Sequence, residues 1–335
     1  MTAGKTLAAL LVIVGLLLAF WLTQTPSSPE ALAPEPSPTS VLGSLETPGG
    51  SANVIVSGDL AYLADTTAGL QVIDVSEPSH PTLLASLDTP GGAVDVAVSG
   101  DLACLADTTF GLSVIGVSDP KRPVVLGSVD TPGGAVGVDV VGTTAYVADT
   151  TVGLQVIDLS SPDKPTLIGS VDTPGGAEGI AVEGTLAFMA DTTSGLQVVD
   201  VANPTRPVIV GSVETPGGAT DVAVAGSVAY VADTSSGLQL VDVSDPGRPQ
   251  VIGSLDTPGS AVHVVVSGST AWVADTRAGV LKVDVSDPAQ PTIEASIDTP
   301  GSATGVAVVE DSAFVADMGT GLVVLDVLGA ASLQL

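Results

Sequence analysis

The stretch AVDVAVSGDLACLADTTFGLSVIGVSDPKRPVVLGSVDTPGG, residues 93–134, contains four short apolar runs and the turns that separate them. Residues 94–99 form the first run, ended by Ser99-Gly100-Asp101. Residues 102–107 form the second, closed by Thr108, Thr109, Phe110 and Gly111. Residues 112–117 form the third, followed by the Pro-rich Ser118-Asp119-Pro120-Lys121-Arg122-Pro123. Residues 124–131 form the fourth, which stops at Pro132-Gly133-Gly134. Apolar residues show no 3.6-residue period, and Gly or Pro interrupts each run, so a helical reading fails. The spacing predicts four short strands joined by short loops, an up-and-down antiparallel sheet. Runs this apolar on both faces need cover on both faces.

The same unit recurs seven times in 42-residue steps, with no insertion or deletion, between residues 41 and 327. Its phase is marked by Asp65, Asp107, Asp149, Asp191, Asp233, Asp275 and Asp317, and by Thr-Pro-Gly triplets beginning at Thr47 and recurring through Thr299. Identical units pack by identical contacts, which gives a ring, a solenoid or an array. Stacked radially, each sheet covers the next and no unit is left at an end. The expected fold is therefore all-β, a seven-bladed β-propeller of four-stranded antiparallel blades. The seventh unit lacks its fourth strand, whereas Val41-Leu42-Gly43-Ser44-Leu45 matches Leu83-Leu84-Ala85-Ser86-Leu87 in phase. This N-terminal strand is expected to close the last blade beside residues 322–327, covering an open edge.

Composition narrows the function classes. Eight Lys and Arg against 37 Asp and Glu give a formal net charge of −29, which repels phosphate backbones and excludes nucleic acid as a partner. One cysteine, Cys104, rules out an internal disulfide or a cysteine-based zinc site. Residues 6–22 contain no charge and seven Leu, and Lys5 with the α-amino group lies on their N-terminal side. That pattern predicts one N-terminal transmembrane helix with the rest of the chain translocated. Cleavage as a signal peptide remains the alternative, although Pro26 and Pro34 follow the small-residue sites. The expected organisation is a membrane anchor or signal peptide over residues 1–23 and a Pro/Ser-rich linker over 24–40. The propeller follows over 41–329, with a tail over 330–335.

Candidate functional residues fall into phases. The Asp65 series precedes T-T-x-G, where an Asx-turn accounts for it, as it does for the Asp74 series before the Ser-Asp-Pro turns. The Asp65 series also shares one predicted face with Glu46, Asp88, Asp130, Asp172, Glu214, Asp256 and Asp298. Fourteen carboxylates there provide a competing reading, weak attraction of divalent cations or of a basic partner. Arg122, Lys164, Arg206 and Arg248 share one phase on the other face, with His80 and Gln290 in the same slot, and local pairing with neighbouring acids is expected. Tyr62, Tyr146, Phe188, Tyr230, Trp272 and Phe314 share the inter-blade packing phase, where Cys104 replaces an aromatic. Phe110 either fills space beside Cys104 or stands exposed as a partner anchor.

The most variable polar phase lies early in the innermost strand, at Asn53, Asp95, Gly137, Gly179, Asp221, His263 and Gly305, with Asp139 and Glu178 adding charge beside it. Variation inside near-identical repeats marks positions where packing does not dictate the residue. Two readings stay open: a ligand-binding mouth at the axis, and drift in a solvated channel. The candidate binding residues are Asn53, Asp95, Asp139, Glu178, Asp221, His263 and Phe110. No catalytic residue, metal site or cofactor is indicated.

Leu70-Gln71-Val72-Ile73-Asp74 and Leu154-Gln155-Val156-Ile157-Asp158, with close variants in four other units, resemble the signature of the LVIVD-repeat propellers, found mostly in secreted or surface proteins of bacteria and archaea. Residues 112–116 depart from it by ending in Gly116 rather than Asp. The resemblance covers all seven units and implies the propeller fold with a surface binding or scaffolding role. Uniform loops and the lack of a Ser-His-Asp set, HExxH or Gly-rich phosphate motif point the same way. The expected molecule is a membrane-tethered, extracytoplasmic, non-catalytic and monomeric propeller with a protein or surface-polymer partner. The alternative is a propeller enzyme, a hydrolase or dehydrogenase, with its site at the central channel mouth.

Overall fold

The computed structural model describes residues 41–327, which form 28 strands in seven four-stranded antiparallel sheets. Expectations for the anchor, the linker and the tail lie outside the described residues. The first blade runs outward through Ser51–Ser57, Leu60–Asp65, Gly69–Asp74 and Thr82–Leu87. Five more blades repeat this order. The seventh takes Ala303–Val309, Ser312–Asp317 and Gly321–Asp326 from the C-terminal side and Val41–Leu45 as its outer strand. Val41 pairs with Leu325, and Leu45 with Leu322, so the predicted closure by the N-terminal strand is present.

Apolar residues are buried between blades, because alternate side chains of a strand point to opposite neighbours. In the second strand of the first blade, Ala61 and Leu63 pack with Phe314, Leu322 and Val324 of the seventh blade. Tyr62 and Ala64 turn the other way, onto Val96, Ala103, Leu105 and Ile115 of the second blade. The remaining five clusters each likewise span one junction. Leu63, Leu70 and Ile73 are fully buried, and each such side chain contributes about 1.5–3 kcal/mol. The six aromatics of the packing phase are all buried, as is Cys104 in the same slot, where loss of water pushes its thiol up to about 12.

The buried Asp65 series ties the loops of one face together. Asp65 Oδ2 accepts from the Gly49 N–H at 2.9 Å, and Oδ1 accepts from Thr67 and Ala68 N–H at 3.1 and 3.0 Å. Asp107, Asp149, Asp191 and Asp275 repeat the arrangement. The expected Asx-turn is therefore present. The bond to Gly49 adds more, because it fastens the loop arriving from the preceding blade to the second hairpin of its own blade. Gly69 follows in the left-handed region at φ 68°, which L side chains rarely adopt.

Three outcomes test this packing. Shortening the chain to begin at residue 41 should leave the propeller's melting unchanged. Beginning at residue 46 should expose Leu322 and Leu325 and cost on the order of 3–5 kcal/mol, read by chemical denaturation. Cys104 should resist an aromatic disulfide reagent at pH 8 in the native state and react fully in denaturant.

Candidate functional site

The axial mouth is built from the first residues of the seven inner strands. In six blades the inner strand carries a register shift at its second residue, for example between Ala93 and Asp95 opposite Asp107 and Ala106. A bulge of this kind re-aims side chains, and the residues on either side of it surround a cavity of about 160 Å³ on the axis. Asn53, Asp95, Glu178, Asp221 and His263 line it. Asp139 and Phe110 do not. Asp139 lies further along its strand, and Phe110 stands exposed at the tip of a hairpin (47 % accessible), the second of its two expected placements.

Most of these polar groups tie one blade to the next. Asp95 accepts from Asn53 Nδ2 of the first blade, from Val96 N–H of its own at 2.8 Å, and from Val138 N–H of the third at 2.7 Å. Asp139 accepts from Val140 and Val182 N–H, both at 2.7 Å, which joins the third blade to the fourth. Asp221 accepts from Val264 N–H at 2.9 Å, and His263 Nδ1 accepts from Val306 N–H at 3.4 Å. With Nδ1 accepting, His263 carries its proton on Nε2, which lies 3.7 Å from Asp221 Oδ2. The seam between the seventh and first blades is tied by Thr304 Oγ1, which donates to the Ser51 carbonyl at 2.8 Å.

The junction between the fourth and fifth blades has no such side-chain bond among the described residues, and Glu178 stands beside it. Glu178 lines the cavity, and its carboxyl group has no hydrogen-bond or ion-pair partner among the described residues. Burial pushes Glu178 up to about 7. Asp95 is pushed up to about 6, chiefly by burial and in part by the charge of Asp221, with its three hydrogen bonds opposing the rise. Asp139 is raised by burial as well.

Three sequence-based readings need correction. The glycines of the variable phase are dictated by packing: a Cβ on Gly137 overlaps the Glu178 carbonyl oxygen, one on Gly179 lies 2.6 Å from Asp221 Cα, and one on Gly305 overlaps Asn53 Oδ1. Of the fourteen carboxylates assigned to one face, the Asp65 series is fully buried and spent on backbone N–H groups. Only Glu46, Asp88, Asp130, Asp172, Glu214, Asp256 and Asp298 remain exposed there. Arg122, Lys164, Arg206 and Arg248 form no ion pair; among the described residues those are His263–Asp221 and Lys282–Glu294. Their slot needs only a backbone donor, as when Arg122 N–H closes a turn on the Asp119 carbonyl, which explains why His80 and Gln290 serve equally. An exposed pair would gain little after losing side-chain freedom.

Thr220 and Thr304 were missed as axial residues. Both hydroxyls bridge to a carbonyl of the following blade, at Val262 and Ser51. The signal was a Thr in a phase otherwise held by Val in three blades. No three His, Cys, Asp or Glu side chains among the described residues are grouped so as to hold a metal ion.

The sequence model described as LVIVD repeat matches residues 48–89, 90–131, 132–173, 174–215, 216–257, 258–299 and 300–335. No curated protein matches the chain. Among solved structures, the β-propeller domain of Cps50 (Swd1) from Myceliophteria thermophila is similar with a TM-score of 0.69 at 13% identity, covering 86% of this chain and 99% of that one. The computationally designed Ika8 protein is similar with a TM-score of 0.64 at 8% identity, covering 86% and 100%. At these identities the likeness concerns fold alone.

A pH dependence follows. A carboxyl whose pKa is higher in the folded state binds its proton more tightly there. Its contribution is full below the ordinary carboxylate range and is lost as pH rises through the raised value. For Asp95 and Glu178 the loss falls between about pH 4 and 7. The melting temperature should therefore fall on going from pH 5 to 7.5. Glu178→Gln should flatten that slope and raise the midpoint at pH 7.5 by about 2–5 °C.

Proposed function

The chain belongs to the LVIVD-repeat family, and we propose that it is a non-catalytic binding or scaffold module, held on the extracytoplasmic side by its N-terminal apolar segment. One observation carries the non-catalytic reading. Asp95, Asp139, Asp221 and His263 all have a lone pair committed to a backbone N–H of the next blade. His263 Nδ1 is thereby closed to a substrate proton, and both oxygens of Asp95 and Asp139 and Oδ2 of Asp221 are engaged, so these groups serve as ties that hold a fixed mouth.

Uniform loops support the same reading. Enzymes on symmetric scaffolds carry their chemistry on dissimilar loops, and here all seven units keep one length. What varies at the mouth is chiefly the side chain, as expected of a surface tuned for recognition. The mouth formed by Asn53, Asp95, Glu178, Asp221 and His263, with the exposed Phe110 at a separate position, is the proposed ligand- and partner-facing part. Extracytoplasmic display rests on the 17 uncharged residues 6–22 and on Lys5 at their N-terminal side.

Treating intact cells that express the full chain with a membrane-impermeant amine-reactive biotin tests the topology. Exposed Lys121 and Lys164 should be labelled without lysis. Labelling that appears only after lysis would overturn the extracytoplasmic assignment.

A further inference from the structure

We propose that the axial cavity binds a single primary ammonium group, held by Glu178 and by the negative field of Asp95 and Asp221. The inference rests on the reading of the mouth as the ligand-facing site and adds the chemical class of the ligand.

The starting point is an imbalance of charge. Asp95, Glu178 and Asp221 line one small cavity, and none of the Lys or Arg side chains lines it. Buried carboxylates without a cation are costly unless protonated or neutralised by a bound positive charge. Asp95 and Asp221 are compensated in part by backbone N–H groups, and Asp221 also faces the Nε2–H of His263. Glu178 has no compensation of any kind among the described residues. It also stands at the one junction where no inner side chain spans two blades. Glu178 therefore brings an uncommitted carboxylate to the lining of the open mouth.

Size and geometry select among cations. A cavity of about 160 Å³ holds several waters at about 30 Å³ each and falls short of the roughly 300–1,000 Å³ of sites for larger organic ligands. A methylammonium-sized head fits. A metal ion is disfavoured because it needs several oxygen ligands converging on one point, and the side chains are not so grouped. An ammonium donates three hydrogen bonds in divergent directions, which suits one free carboxylate with further acceptors spread around a ring. Seven exposed carboxylates, from Glu46 to Asp298, lie on the same face as the mouth, since Ser51 and Asp65 pair at that end of the blade. They steer cations toward it. Because burial pushes Glu178 up to about 7, it is mostly ionised at pH 8, and the attraction grows as pH rises through that value.

The full chain should be titrated at pH 8, in an amine-free buffer of fixed ionic strength, by calorimetry and thermal melting. The probes are methylammonium, butane-1,4-diammonium, acetyl-Gly-Lys-Gly-amide, tetramethylammonium, potassium and calcium. Primary ammonium probes should bind one per chain and raise the melting midpoint, and tetramethylammonium and potassium should not. Glu178→Gln should weaken binding at least tenfold with an unchanged circular dichroism spectrum, whereas Asp88→Asn on the outer face should stay within about twofold. Tighter binding of the lysine peptide assigns the site to a partner's lysine, and tighter binding of the small amines assigns it to a free amine. Should Glu178→Gln not fold, Glu178→Asp replaces it and must bind several-fold more weakly than the unaltered chain. No response to any amine, equal binding in the Glu178 variant, or a larger response to calcium would each overturn the proposal. Labelling of intact cells is unaffected by any of these results, so a failure here leaves the display reading to be judged separately.

Discussion

Each blade buries large apolar side chains on both of its faces, so neither face tolerates water. Leu63 and Ile73 point toward one neighbour, Tyr62 and Val72 toward the other. A lone sheet of this kind has no stable state in water, and a linear stack would leave two faces bare. Closing the stack into a ring removes both bare faces at once. The hydrophobic clusters consequently belong to junctions, and no blade owns a core of its own.

Ring closure then dictates where polar groups go. Inner strands converge at the axis, where three positions have no room for a side chain and several others must satisfy N–H groups across a junction. Carboxylates suit the second task, because an acceptor-only group takes two or three backbone donors at once. The same solution recurs at larger radius, where six of the seven buried Asp of the Asp65 series gather N–H groups from two separate loops, and Asp233 takes the Gly217 N–H and the Thr215 hydroxyl from one. Acidic composition is thus partly structural, since many of the carboxylates that make the chain so negative are internal acceptors.

Strand number, blade order and the closing partner were legible in the sequence because they depend on period and on local turn chemistry, both of which are written residue by residue. The pairing of Val41–Leu45 with the last blade could be read from phase alone. The axial mouth was only partly legible. Asn53, Asp95, Glu178, Asp221 and His263 were singled out for varying, and they do meet in one cavity. Their bonds could not be foreseen, since whether Asp95 reaches Val138 or points into solvent depends on the ring's radius and on the bulge. For the same reason Gly137 and Gly179 read as drift, whereas the close approach of neighbouring strands excludes anything larger. The free cations of the outer loops were misjudged because proximity in sequence says nothing of how long side chains divide their time.

The outer strand of the seventh blade is hydrogen-bonded into its sheet through one ladder, from Val41 opposite Leu325 to Leu45 opposite Leu322, while Gly43 backs onto the Pro78–Pro81 turn of the first blade. Any mechanical load entering the domain at residue 41 falls on that ladder first. A pull along the strand is shared by its bonds together, and a pull sideways takes them in turn, beginning at Val41. Resistance to force should therefore depend on direction, and the first rupture would bare the flank of the strand Gly321–Asp326 before any other blade yields.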